Sequence, residues 1–90
     1  MEECKFIITD PAGIHARPAS ILVQTANQFV SNIDIVFRER TANLKSIIGV
    51  MALGIPVHAV ISIRATGADE ESAIKAFSEA ISEQKLGDRY

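Results

Sequence analysis

Hydrophobic residues recur along this chain in two different patterns. Strand-like alternation of apolar and polar residues covers four segments: 4–9, 33–37, 41–44 and 59–65. A three- to four-residue spacing covers 16–29 and 70–84, and this spacing is typical of a helix that is buried along one face. A short apolar stretch, 47–53, follows a serine that can begin a helix. The order of these segments predicts the elements β-α-β-β-α-β-α in a single domain of residues 1–90.

Each predicted element has one apolar side. The strands are expected to point these residues inward: Cys4, Phe6, Ile8, Ile33, Ile35, Phe37, Ala59, Ile61, Ile63 and Ala65. The buried sides of the two long helices are expected to contain Ala19, Leu22, Val23, Ala26, Phe29 and Val30, and Ala73, Phe77, Ala80 and Ile81. We therefore expect an α+β fold in which three helices cover one face of a four-stranded, mainly antiparallel sheet. Solvent would contact the other face.

Turn and cap residues give the limits of these elements. Asp10–Gly13 is a turn cluster that ends the first strand, and Pro18 fits only the first turn of the next helix, where its missing N–H does no harm. The hairpin turn is expected at Arg38–Arg40, although this segment lacks the Asn-Gly or Asp-Gly pair of a tight hairpin. Ser46 is a favoured N-cap, and Gly87 is expected to end the last helix.

Composition and charge narrow the class of protein. The net charge of −2 argues against nucleic-acid binding, which requires many clustered cations. The chain has one cysteine and so cannot form an internal disulfide. It has no charged-then-apolar leader and no apolar run of the roughly 20 residues that a membrane span needs. We expect a cytoplasmic, monomeric protein that binds neither membranes nor nucleic acid directly.

His15 is the candidate reactive residue. If Pro18 lies in the first turn of its helix, His15 falls at about the N-cap, beside free backbone N–H groups and the positive end of the helix dipole. Arg17 adds a permanent cation that can hydrogen-bond phosphate oxygens in a forked geometry. From the residues alone, two interpretations stay open: an anion-facing histidine, or a polar residue that is merely tolerated at a helix start.

Three segments resemble one known family. Gly13–Ala19 resembles the active-site signature of the HPr family, the histidine-containing phosphocarriers of the bacterial sugar phosphotransferase system. Asn43–Gly54 resembles the regulatory serine segment of that family, and Ala65–Glu70 resembles its entry into the last helix. The spacing of all three segments fits, and the resemblance covers essentially the whole chain. It implies an open-faced β-sandwich of four antiparallel strands with three helices on one side.

The resemblance also implies a function. His15 would accept a phosphoryl group on its Nδ1 atom from phosphorylated enzyme I and pass it to the EIIA domains of sugar transporters. Arg17 matches the phosphate-contacting arginine of the family, and Ala16, Arg17 and Pro18 would form the phosphate cradle. The resemblance implies a carrier rather than an enzyme, with no cofactor and no metal site.

Ser46 has two interpretations that can both hold. Helix capping explains a serine at this position without any modification. The resemblance implies in addition that Ser46 is phosphorylated by the ATP-dependent HPr kinase/phosphorylase. In Gram-positive relatives, the modified form binds a catabolite-control transcription factor as a corepressor.

The residues expected to contact partner proteins are Ser20, Ile47, Ile48 and Met51. The resemblance implies that enzyme I docks on the first two helices. The alternative for the three apolar residues is packing in the core. A short helix of nearly continuous apolar residues cannot bury all of them against one sheet, so we expect some to be exposed as a docking surface.

Other functions fit these residues less well than a carrier does. A regulatory corepressor acting mainly through Ser46 would be expected to lack His15, and a carrier of the parallel nitrogen-related relay would lack the serine segment 43–54. An independent enzyme fits least, because His15 has no carboxylate beside it in sequence and the chain has no metal-ligand cluster or glycine-rich nucleotide loop. Three features depart from the pattern of the family: the hairpin tip Arg38–Arg40, His58, and Ile48 in place of a frequent methionine. The Ile48 change preserves volume and should leave docking possible, and His58 is expected to be a solvated loop residue without a role.

Overall fold

The computed structural model describes residues 1–90 and contains five strands and three α-helices. In chain order these are β1 (Glu2–Ile8), α1 (Ala16–Ala26), β2 (Asn32–Phe37), β3 (Arg40–Asn43), α2 (Ile47–Ala52), β4 (Val60–Thr66), α3 (Glu70–Glu83) and β5 (Gly87–Arg89). The strands form one sheet in the order β3-β2-β4-β1-β5. Every neighbouring pair is antiparallel. The predicted α+β fold, with an antiparallel sheet and three helices, is confirmed.

The sheet register explains why one face is apolar. Ile63 in β4 lies opposite Cys4 of β1 on one side and opposite Ile35 of β2 on the other. Because residues that are directly opposite point to the same face, the inward residues of the three strands form continuous rows. All of the predicted inward strand residues are buried in a single cluster of 23 apolar side chains.

The first helix ends earlier than its apolar pattern indicates. α1 stops at Ala26, so Phe29 packs against the core from the following turn while only partly buried. Val30, which the pattern places on the buried side, is 80% exposed. The prediction for Val30 is wrong because the helical spacing continues in the sequence past the point where the chain leaves the helix.

Two details at the end of the chain correct the sequence-based prediction. The sheet has five strands rather than four, and Gly87 begins β5 instead of ending α3. The helix ends at Glu83, the chain turns through Lys85 with φ 56°, and Gly87 pairs with Ile8 of β1. A Cβ atom at Gly87 would clash with the Ile7 carbonyl oxygen. Gly87 therefore allows the close approach of β5 to β1.

Asp69 joins the last helix to the turn that follows α1. Its carboxylate accepts hydrogen bonds from the backbone N–H of Val30 at 2.9 Å and of Ser31 at 3.0 Å, and also from the Ser31 hydroxyl. The Ser31 hydroxyl, followed by the Val30 N–H, holds the pKa of Asp69 below its ordinary value of 3.8. The ionised carboxylate thus stabilises the connection between α1 and α3.

This arrangement predicts a loss of stability in acid. The folded carboxyl of Asp69 stays ionised at a pH at which the unfolded chain takes up the proton, so the unfolded state binds more protons. The contribution of Asp69 is complete above its ordinary pKa of 3.8 and is lost as the pH falls through the lower folded value. Denaturant melts of the native chain and Asp69→Asn between neutral and acid pH measure this effect. The variant should be less stable at neutral pH and lose less stability in acid, whereas parallel curves would contradict the assignment.

Candidate functional site

The loop between β1 and α1 is fixed by backbone contacts. The Gly13 N–H donates to the Asp10 carbonyl at 2.8 Å, and the Ile14 N–H donates to the Ile55 carbonyl at 2.9 Å. Gly13 has φ +69°, and a Cβ atom there would lie 2.9 Å from the Pro56 Cα and closer still to the Ile55 oxygen. Only glycine fits this approach without strain. The loop therefore delivers His15 to the start of α1 in a defined position.

His15 is the N-cap of α1, as the position of Pro18 predicts. Its backbone is extended, with φ −99° and ψ −163°, and its ring makes no capping hydrogen bond. The His15 carbonyl accepts the first intrahelical bond of α1, from the Ala19 N–H at 3.0 Å. The His15 side chain is 46% exposed, so a partner molecule can reach it.

The first turn of α1 presents unpaired donors next to this ring. The N–H groups of Ala16 and Arg17 have no acceptor within the chain, and Pro18 has no N–H. The Arg17 side chain is exposed and forms no ion pair. Two free N–H groups, a helix N-terminus and a free guanidinium are suited to an anion. The structure thus brings His15, Ala16, Arg17 and Pro18 together in one turn.

A carboxylate also faces His15, and the sequence pattern did not indicate it. Asp10 Oδ1 lies 3.9 Å from His15 Nε2, although the two residues are five positions apart. The same oxygen accepts a hydrogen bond from the Ala12 N–H at 3.0 Å. The Asp-Pro-Ala-Gly sequence signals a turn, but only the folded loop shows that this turn aims Asp10 at the ring.

Ser46 caps α2 as its sequence position predicts. Its hydroxyl oxygen accepts a hydrogen bond from the Gly49 N–H at 3.1 Å, and its carbonyl accepts one from the Val50 N–H at 3.0 Å. The side chain is partly exposed. No hydrogen bond or ion pair joins Ser46 to the turn that holds His15. Ser46 and His15 therefore start two different helices, which pack against each other.

An apolar patch lies on the outer side of α2. Ile47, Ile48 and Met51 are 42%, 84% and 44% exposed, whereas Val50 is fully buried. We call these three exposed residues the α2 patch. Ser20, on the neighbouring α1, is partly buried. The core-packing alternative for the α2 patch does not hold, because α2 uses Val50 alone as its buried contact.

The Ile48→Asp variant tests whether the α2 patch contacts a partner. A carboxylate on this largely exposed position should change the free energy of unfolding by no more than about 0.5 kcal/mol. If the patch is buried by a phosphoryl donor protein, the same carboxylate should lower kcat/KM for phosphorylation about tenfold. Phosphorylation kinetics with the native chain and the variant would measure this.

Tyr90→Asp is a matched control for that variant. Tyr90 is 73% exposed and follows β5, which lies at the sheet edge opposite β3, the strand that α2 contacts. The Tyr90→Asp variant should leave both the free energy of unfolding and kcat/KM for phosphorylation close to native values. A normal rate for Ile48→Asp, or an equal loss in both variants, would contradict a docking role for the α2 patch.

Two of the residues that depart from the family pattern, Arg38 and His58, lie close together. Arg38 and His58 both have positive φ values, 58° and 71°, and both line a groove of about 390 Å³ beside β2 and β4. The His58 N–H donates to the Ile8 carbonyl at 2.7 Å. The hairpin turn consists of Arg38 and Glu39 only, because Arg40 already pairs with Phe37. The prediction of a three-residue turn at Arg38–Arg40 is therefore corrected.

Comparison with known proteins decides the family. The family model described as "PTS HPr component phosphorylation site" matches residues 2–83. The chain belongs to the HPr family. The histidine-containing phosphocarrier protein of a Mycoplasma is 43% identical, with 96% of this chain and 98% of that chain covered and a TM-score of 0.93. HPr from Thermoanaerobacter tengcongensis is 42% identical, with coverages of 93% and 94% and a TM-score of 0.88.

This chain is also similar to a protein that is named for catabolite repression and not for phosphoryl transfer. Crh from Bacillus subtilis, a catabolite repression protein that forms a domain-swapped dimer, is 32% identical. The match covers 83% of this chain and 86% of the Crh chain, with a TM-score of 0.72.

Membership of the HPr family makes this chain a phosphocarrier protein of the phosphotransferase system and not an enzyme. No helix of the chain combines the length and the apolar character needed to cross a bilayer.

Proposed function

We propose that His15 accepts a phosphoryl group from phosphorylated enzyme I and passes it to EIIA domains of sugar transporters, in the cytoplasm. The observation that carries this proposal is the position of His15. Its half-exposed ring stands at the open N-terminus of α1, beside two unpaired N–H groups and the free Arg17. Membership of the HPr family supplies the donor and the acceptor class.

The transfer step follows from this geometry. The His15 Nδ1 lone pair attacks the phosphorus of the phosphoryl group on the donor protein, and the bond between that phosphorus and the donor nitrogen breaks as the new N–P bond forms. The Ala16 N–H, the Arg17 N–H and the Arg17 guanidinium hydrogen-bond the phosphoryl oxygens. Pro18 leaves this end of the helix without a third donor. Positioning and charge stabilisation account for most of the catalysis of such transfers.

Phosphorylation of Ser46 is proposed as a second, regulatory step. The Ser46 oxygen accepts from the Gly49 N–H, so the hydroxyl proton is free to be replaced by a phosphoryl group. A phosphate at an N-cap is favoured by the helix dipole and should leave α2 folded. Its negative charge would lie beside the α2 patch and weaken binding to an acidic partner surface. The proposed partners at Ser46 are HPr kinase/phosphorylase and a catabolite-control transcription factor.

A chain that acts only as a corepressor through Ser46 is the second candidate. The 32% identity to Crh favours this second candidate. The presence of both His15 and Arg17 favours the carrier. Crh forms a swapped dimer, whereas we propose that this chain acts as a monomer. Each EIIA or enzyme I molecule would then meet one His15.

Phosphorylation in solution tests the proposed function. The native chain is incubated with phosphoenolpyruvate, enzyme I and Mg²⁺, and intact mass is measured before and after acid treatment. We expect the mass of one phosphoryl group that is lost in acid and that moves to an added EIIA domain. No mass gain, or a gain that survives acid, would show that the carrier function is wrong for this chain.

A further inference from the structure

The Asp10 carboxylate is placed against His15 by the turn and not by the histidine. Its Oδ1 atom accepts from the Ala12 N–H at 3.0 Å, and its backbone carbonyl accepts from the Gly13 N–H at 2.8 Å. The Asp10 N–H in turn donates to the Leu86 carbonyl at 3.3 Å. Three contacts thus hold Asp10 where its Oδ1 atom lies 3.9 Å from His15 Nε2.

The Asp10 carboxylate can act on the positive charge that develops on the His15 ring during phosphoryl transfer. When a neutral imidazole attacks phosphorus through Nδ1, its proton stays on Nε2 and the ring becomes positively charged. A carboxylate on the Nε2 side stabilises that charge and favours the tautomer whose Nδ1 lone pair is free. Asp10 lies on the Nε2 side, while the Nδ1 side is left for the phosphoryl group.

We propose that Asp10 is a positioning residue for phosphoryl transfer, acting through Nε2 of His15. The inference rests on the proposed function of His15. In the loading step the donor P–N bond breaks, the P–Nδ1 bond forms and the Nε2 proton remains in place. In onward transfer the P–Nδ1 bond breaks and the neutral imidazole leaves with its Nε2 proton. Because this separation is 3.9 Å in the free chain, the carboxylate acts on the Nε2 proton by charge, and a small ring rotation during transfer would bring the two atoms within hydrogen-bond distance.

Asp10 also has a structural role, which the choice of variants separates from the electrostatic one. In Asp10→Asn the amide oxygen can still accept from the Ala12 N–H, so the turn is kept while the negative charge is removed. Asp10→Ala removes both the turn contact and the charge. Asp34→Asn is the matched control, because Asp34 lies on the outer face of β2 and its replacement makes the same change in net charge.

The experiment measures kcat and KM for phosphorylation by enzyme I, together with ¹⁵N NMR of the His15 ring in the free chain. We expect Asp10→Asn to lower kcat about three- to fivefold with little change in KM. We also expect its His15 ring to lose part of its preference for the proton on Nε2. Asp34→Asn should match the native chain in both measurements.

Two outcomes would overturn the inference while leaving the proposed function intact. If Asp10→Asn matches the native chain and only Asp10→Ala is impaired, Asp10 serves the turn alone. If Asp34→Asn lowers kcat equally, net charge and not position is responsible. Failure of the native chain to become phosphorylated on His15 would instead remove the proposed function. The ring tautomer, which is measured without any partner, would still report whether Asp10 acts on Nε2.

Discussion

The His15→Ala variant is expected to take up no acid-labile phosphoryl group from phosphoenolpyruvate and enzyme I. The variant loses the only ring nitrogens that stand beside the unpaired N–H groups of Ala16 and Arg17. Its fold should be kept, because the His15 ring is 46% exposed and makes no capping hydrogen bond. We expect its free energy of unfolding to stay within about 0.5 kcal/mol of the native value.

Intact-mass measurement on a variant that melts like the native chain checks this prediction. The loss of phosphorylation can then be assigned to chemistry and not to unfolding. A folded His15→Ala chain that still acquires an acid-labile phosphate would place the acceptor elsewhere. Such a result would contradict the proposal for His15 and leave only the family membership.

The Gly13→Ala variant is expected to lose both stability and phosphorylation. Gly13 has φ +69°, and its new Cβ atom would press on the backbone of Ile55 and Pro56. The positive φ costs about 1–2 kcal/mol for a residue with a side chain, and the backbone clash adds about 1–3 kcal/mol. We expect a loss of about 3 kcal/mol in the free energy of unfolding.

The rate of phosphorylation of Gly13→Ala should fall together with its stability, because the loop that contains Gly13 also carries His15. Denaturant unfolding and phosphorylation kinetics measure the two losses. Gly54→Ala is the matched control: Gly54 has a similar φ of +61°, but the space that a Cβ atom would enter there is open, so only the backbone cost of about 1–2 kcal/mol applies. Equal losses in the two variants would show that the contact with Ile55 and Pro56 does not matter.

Much of the fold could be predicted because its signals are local. Alternation indicates β1, β2 and β4 and their inward residues, and the register in the structure joins those residues into one core. Pro18 indicates the start of α1, and therefore the N-cap position of His15, because proline fits only where helix N–H groups have no partner. Ser46 indicates the start of α2 for a different reason, because its hydroxyl oxygen can accept a hydrogen bond from a free N–H of the first turn, here that of Gly49.

The features that escaped prediction depend on contacts between distant parts of the chain. β5 is a three-residue strand, Gly87–Arg89, that has no apolar alternation and exists because β1 offers it a free edge. Val30 follows the helical spacing of α1 although the chain has already turned. The approach of Asp10 to His15 is produced by the turn and by its contact with Leu86. Neither sequence spacing nor composition reports such a contact.

The most direct test of the central claim uses the two histidines of the chain, His15 and His58. Their ring nitrogens are followed by ¹⁵N NMR while enzyme I and phosphoenolpyruvate phosphorylate the labelled protein. We predict that the Nδ1 and Nε2 signals of His15 move to new positions in step with phosphate incorporation, while those of His58 stay in place. Movement of the His58 signals with His15 unchanged, or phosphate incorporation without a change in either ring, would contradict the assignment of His15 as the phosphoryl acceptor.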